Sequence, residues 1–107
     1  MDDQLFCPIH EATELLQEKW NLHIIRALLT GSHGFNELAR AVGGVNTSTL
    51  SNRLEKLEQR GIIIRTVESV MPPRTRYELT RAGHELHDVV DAISAWALRH
   101  IHEPAAA

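Results

Sequence analysis

Gly61 separates two hydrophobic periodicities, and that change limits the chain to a helical unit followed by a hairpin. Before it, Leu50, Leu54 and Leu57 form the stripe of a helix that Asn46 or Thr47 caps and that reaches Arg60. Gly61 is the residue that ends it. After it, Ile62 to Val70 is rich in β-branched residues and reads as a strand. Met71-Pro72-Pro73-Arg74 continues neither strand nor helix and predicts a turn, with Thr75 to Leu79 as the returning strand.

The rest of the chain is helical in pattern. Pro8 suits the first turn of a helix with Cys7 as N-cap; Ile9, Ala12, Leu15 and Leu16 then face away from Glu11, Glu14 and Glu18. A second helix is expected from Trp20 to Leu29, burying Trp20, Ile24, Ile25, Leu28 and Leu29, with Gly31 as its stop and Ser32-His33-Gly34 as the turn. A short third helix from Phe35 to Val42 buries Phe35, Leu38, Ala39 and Val42, before a tight break at Gly43-Gly44-Val45. Thr80 caps a last helix to about His100, with Leu86, Val89, Val90, Ile93, Trp96 and Ala97 on one face. The expected fold is mainly α with a small β-hairpin, in the order α-α-α-α-β-β-α. It forms one domain over residues 1–107, long enough for a core without staples. Glu103 to Ala107 reads as a frayed tail.

Several classes of function are excluded. The single cysteine, Cys7, rules out a disulfide-stapled domain. Apolar runs such as Ile62-Ile63-Ile64 are far short of the roughly 20 residues that span a bilayer. The acidic start, Met1-Asp2-Asp3-Gln4, lacks the features of a signal peptide, so an intracellular, cytoplasmic protein is expected. No phosphate loop, HExxH or Gly-x-Ser-x-Gly elbow is present, and no catalysis is expected. Among seven histidines, His84 and His87 have chelating spacing and His100 and His102 lie near the helix end. No carboxylate or cysteine completes a zinc motif, so solvated helix histidines are the reading and neither metal nor cofactor is expected. His23 and His33 read as surface or turn residues.

Phe35 to Arg60 has the grammar of a helix-turn-helix: a short helix with small Ala39 at the close approach, a glycine turn, then an amphipathic helix. The outward positions of the second helix are Thr47, Ser48, Thr49, Ser51, Asn52, Arg53 and Lys56. Short hydrogen-bonding side chains followed by cations suit base edges and phosphates in a major groove. The pair by itself is equally compatible with a helical interaction unit, since Ser, Thr and Asn also serve as caps. The hairpin bearing Arg74 and Arg76 turns the reading toward duplex DNA, as a wing on the backbone or in the minor groove. Charge distribution agrees. The formal net charge is -3. From Phe35 to Arg81, eight cations face five carboxylates, a net +3, while the remainder holds three cations and nine acids, a net -6. The alternative is a winged helix that binds protein through its acidic ends without preferring any duplex.

Cys7-Pro8-Ile9, Lys19-Trp20, Phe35-Asn36-Glu37-Leu38, Leu50-Ser51-Asn52-Arg53-Leu54 and Leu57-Glu58 occur in that order. Gly61-Ile62-Ile63, Pro72-Pro73-Arg74, and Tyr77-Glu78-Leu79-Thr80 with Gly83 follow. From about residue 7 to residue 100, this ordered set resembles the HxlR-type winged helix family of bacterial transcription regulators, within the MarR-like superfamily. The resemblance implies a homodimeric regulator held by its first and last helices, about residues 8–18 and 81–101. It implies groove or phosphate contacts at Thr47, Ser48, Ser51, Asn52 and Arg53, and wing contacts at Arg74 and Arg76. The chain departs from the pattern in lacking a cation near Ser48, and in having Gln17-Glu18 where the family usually has glycine, which bears on the bend between the first two helices.

The last helix carries an independent motive for pairing, since Val89, Val90, Ile93, Trp96 and Ala97 offer a wider apolar stripe than a small monomer covers. Part of that stripe is also expected to close the monomer core. A two-fold dimer would set its recognition helices about 34 Å apart and prefer an inverted repeat. Cys7 is the chemical candidate. A thiolate at a helix N-cap is stabilised by free amides, with His10 assisting if protonated and Asp2 and Asp3 opposing. The resemblance includes thiol-based sensors of oxidants and electrophiles with a cysteine at this place. The bland alternative is a small N-terminal residue without chemistry.

Overall fold

The computed structural model describes residues 6–101. Asp2, Asp3, His102 and the tail from Glu103 lie outside them. The elements are α1 (Pro8–Leu16), α2 (Asn21–Leu28), β1 (His33–Gly34), α3 (Phe35–Val42), α4 (Thr47–Gln59), β2 (Ile63–Val70), β3 (Pro73–Leu79), α5 (Arg81–His84) and α6 (His87–His100).

The junction at Gly61 is a Schellman motif. Asn46, not Thr47, caps α4: its Oδ1 accepts from the Thr49 amide at 2.8 Å. At the other end Gly61 takes a φ of 76°, where a glycine pays no Cβ penalty. The Ile62 N–H then reaches the Leu57 carbonyl and the Gly61 N–H that of Glu58. Leu57 and Ile62 both enter the core, so the same turn that ends the helix aims the strand.

That core lies between the helix-turn-helix and the base of the sheet. Ile24, Ile25 and Leu28 of α2, Leu38 of α3, and Leu50, Leu54 and Leu57 of α4 are all but fully buried. Ile62, Ile63, Tyr77 and Leu79 close it from the sheet side. Trp20, Leu29, Phe35, Ala39 and Val42, expected to be buried, are half-buried and pack on its rim. In α1 only Leu15 and Leu16 are even half-buried, and Ile9 and Ala12 are exposed.

Three sequence expectations require correction. The sheet has three strands in the order β1-β3-β2, because His33 and Gly34, read as a turn, pair with Tyr77 and Arg76. The turn of the wing is Met71 and Pro72 alone, and β3 already begins at Pro73 opposite Val70. A proline at the first position of a strand forfeits no needed donor. The last helix is two: Thr80 caps α5, its Oγ1 accepting from the Gly83 amide, and the helix breaks at Glu85 and Leu86 before α6.

The α1–α2 bend also has a specific form. Trp20, the N-cap of α2, carries a φ of 82°, a left-handed conformation that costs a bulky residue on the order of 1–3 kcal/mol. Its half-buried ring is held against the core rim, with the Lys19 ammonium 5.2 Å above it. The glycine of the family pattern is absent at positions 17 and 18, and here the positive φ falls on Trp20.

The outer helices leave the molecule extended. Its radius of gyration is 16.1 Å, against about 13 Å for a compact domain of this length. Neither α1 nor α6 buries a residue fully, although Leu86 and Val90 rest on the core. The architecture is a winged helix-turn-helix, with α3 and α4 as the helix pair and β2–β3 as the wing. No helix among the described residues is long and apolar enough to cross a membrane.

Candidate nucleic-acid interface

Helical geometry divides the polar positions of α4 between two surfaces. Thr47, Ser48, Ser51 and Asn52 stand exposed along one row and, with Phe35 and Glu55, line a shallow open concavity. Thr49, Arg53 and Lys56 recur at i, i+4 and i+7 on an adjoining stripe. Thr49 and Arg53 are half-buried there. Arg53 and Lys56 line a separate cleft with Glu14, Glu18 and Asn21. The nine candidate residues are therefore not one patch.

Arg53 is the most constrained of them. Its Nε donates to the Lys19 carbonyl at 2.9 Å, and its Nη1 to Asn52 Oδ1 at 2.8 Å. The same nitrogen lies 3.5 Å from Glu18 Oε1, and only 20% of the side chain is exposed. Nothing in the local sequence signalled this anchoring, because Glu18 and Lys19 lie more than thirty positions upstream.

On the wing, the two arginines differ in the same sense. Arg74 is exposed near the tip, opposite Ser69, and has no ion-pair partner among the described residues. Arg76 sits lower: its Nε pairs with Glu68 Oε2 at 3.0 Å and its Nη1 donates to Ser32 Oγ at 3.0 Å. Glu68 reaches it from a β-bulge, the register slipping between Val67 and Ser69. A second concavity joins the wing to the start of α3, lined by Asn36, Glu37, Glu68, Pro73 and Arg74 among others. Asn36 is exposed there and was not singled out from the sequence, since one asparagine at a helix start carries no spacing signal.

Glu37 shapes this corner electrostatically. Its Oε1 accepts from the Gly34 amide at 2.7 Å, half of a capping box whose other half glycine cannot supply. That hydrogen bond holds the carboxyl below its usual range, opposed by desolvation and reinforced by Arg76, His33 and Arg40. The first turn of α3 is thereby fixed beside the wing.

The terminal helices carry the other candidates. Val89, Ile93 and Trp96 of α6 are exposed at 38%, 45% and 52%, with Val90 and Ala97 half-buried beside them. Cys7 is exposed, with Pro8 following at N1, and its carbonyl accepts from the Glu11 amide while its thiol makes no cap hydrogen bond. His10 is drawn to Glu14, 3.9 Å away, on the same helix. No group of three metal-ligating side chains forms among the described residues.

Comparison with known proteins points one way. The family model for the HxlR-like helix-turn-helix matches residues 15–105. An uncharacterised HTH-type transcriptional regulator of Synechocystis is 40% identical over 87 residues, which cover 81% of this chain and 64% of the relative. This chain thus spans just under two thirds of that relative's length. A solved regulator, YtfH of Salmonella typhimurium, is similar at 35% identity with a TM-score of 0.76, covering 89% of this chain and 85% of its own. The reduced form of the regulator YodB of B. subtilis superposes with a TM-score of 0.80 at 31% identity, covering 94% of this chain and all of its own. YodB has also been solved diamide-treated and quinone-bound, and both forms match this chain.

Proposed function

The chain belongs to the HxlR-like helix-turn-helix family of transcriptional regulators, and from that premise we propose that it binds an inverted-repeat duplex operator as a homodimer and responds to oxidants or electrophiles through Cys7. The carrying observation is the exposed row Thr47, Ser48, Ser51 and Asn52 beside a wing whose tip arginine, Arg74, has no ion-pair partner among the described residues. Short donors and acceptors on one helix face read base edges, and a lone cation on a projecting hairpin meets a phosphate.

The dimer reading rests on what α1 and α6 leave uncovered, along residues 8–18 and 81–101. A stripe of Val89, Ile93 and Trp96, with Val90 and Ala97 at its edge, belongs against a second copy of itself about a two-fold axis. The extended shape of the protomer supports the same reading.

Cys7 is exposed at the start of α1, next to the helices proposed to pair. As the only cysteine, its oxidised partner would be Cys7 of a second subunit or a small thiol. Electrophiles such as quinones would instead add directly to the thiolate. The diamide-treated and quinone-bound forms of YodB support this choice of chemistry.

The test is selection from a random duplex pool with the reduced full chain, followed by salt titration of the enriched site. A palindromic site whose affinity falls steeply with salt is expected. Arg74→Ala should lower the salt slope by about one per protomer contact without changing the site. A chain that enriches no duplex refutes the reading and leaves the protein-binding winged helix in its place.

A further inference from the structure

The contact between Arg53 and Asn52 bears on which base the helix reads. An arginine guanidinium has donors and no acceptor, so the Asn52 atom 2.8 Å from Arg53 Nη1 must be the carbonyl Oδ1 and not the amide nitrogen. The guanidinium is itself anchored from behind, by the Lys19 carbonyl at 2.9 Å and by Glu18 at 3.5 Å. The amide NH2 of Asn52, on the exposed row, has no hydrogen-bond partner among the described residues. A free asparagine pairs with adenine in the major groove by donating to N7 and accepting from N6. That mode needs the carbonyl turned outward beside the amide, whereas its contact with Arg53 uses one of its two lone pairs and turns it toward the anchored guanidinium.

We propose that Arg53 is a positioning residue which, held by the α1–α2 turn, fixes the Asn52 amide so that recognition helix α4 presents donors to a guanine or thymine edge rather than the adenine-reading pair. The inference rests on the duplex-binding reading and specifies one contact within it. Guanine offers N7 and O6 as acceptors and thymine offers O4, and an outward NH2 satisfies either. Arg53 then contributes to specificity without touching a phosphate. The turn at Glu18 and Lys19, far from the exposed row in sequence, becomes part of the reading apparatus.

The experiment compares duplexes selected from a random pool by the full chain and by Asn52→Ala, Arg53→Met and Glu18→Ala. Asn52→Ala identifies the position, as the one in each half-site whose preference it erases. Wild type is expected to prefer guanine or thymine there. Arg53→Met, which keeps the apolar stem, should shift that position toward adenine by roughly tenfold, with other positions and the salt slope unchanged. Glu18→Ala leaves all of α4 intact, so it carries the test alone if Arg53→Met does not fold, and it should shift the same position the same way by less.

The proposal is overturned by adenine preferred there by wild type, by no position erased by Asn52→Ala, or by an Arg53→Met salt slope smaller by about 0.9 with preferences intact, the mark of a phosphate contact. Tighter binding of Glu18→Ala to every duplex alike also overturns it, because a freed Arg53 would then be reaching the backbone. A wild-type chain that selects nothing refutes duplex binding itself, a result distinct from each of these.

Discussion

Gly83 has no room for a side chain, because the Ile62 carbonyl oxygen occupies the place its Cβ would take. Leu79 crowds the same place, its Cδ2 2.8 Å from that position. The same Ile62 carbonyl accepts from the Thr80 amide at 2.9 Å, so the first turn of α5 is seated on the strand's beginning.

Gly83→Ala is therefore expected to destabilise the protein by about 2 kcal/mol or more, as a forced overlap in a packed site. The sign is diagnostic. An alanine in an unobstructed helix would stabilise it by up to about 1 kcal/mol, and equilibrium urea denaturation of the two proteins distinguishes the cases.

Introducing Ile93→Lys together with Trp96→Ser should yield a monomer by sedimentation while circular dichroism shows the helices intact. Both side chains are about half exposed in the protomer, so little of its core depends on them. Losing the second head should weaken operator binding on the order of a hundredfold. A double variant that still sediments as a dimer would place the interface elsewhere.

Diamide or a quinone is expected to change the operator affinity of the native chain and to leave Cys7→Ser unaffected. Mass spectrometry should find the adduct or disulfide at Cys7, which is exposed in the protomer. An equal response in both proteins would remove Cys7 from the mechanism.

Glu37 makes a prediction about acid. Its lowered carboxyl value means the ionised form is favoured by folding. Its stabilising contribution is full above the ordinary value of 4.5 and is lost as pH falls through the lowered one. Wild type should thus melt above Glu37→Gln near neutrality, and the gap should close on acidification. A gap that is constant with pH would show that the charge contributes nothing.

The helix-turn-helix was legible because its signals are local. The leucine stripe of α4, the Asn46 cap and Gly61 lie within sixteen residues of one another. The β1 strand was not legible, because two residues have no periodicity and His33-Gly34 is extended only by pairing with Tyr77 and Arg76. The break at Glu85–Leu86 was hidden for the opposite reason: the apolar spacing runs through it, and neither residue is a helix breaker. For the binding surface, spacing identified polar residues on α4 but not which of two faces they share. Only the fold shows that, among the described residues, Arg53 and Arg76 are already engaged while Arg74 has no ion-pair partner.

The interruption at Glu85 and Leu86 makes α6 a limb on a joint. On one side of it, α5 is seated against the Ile62 carbonyl; on the other, Val90 of α6 rests on the core while Val89, Ile93 and Trp96 stand exposed. In a two-fold assembly, a rotation of a few degrees at those two residues would be doubled across the axis and lengthened by the limb. In such an assembly the spacing of the two reading heads would depend on the angle between α5 and α6 as well as on the residues that meet at the axis.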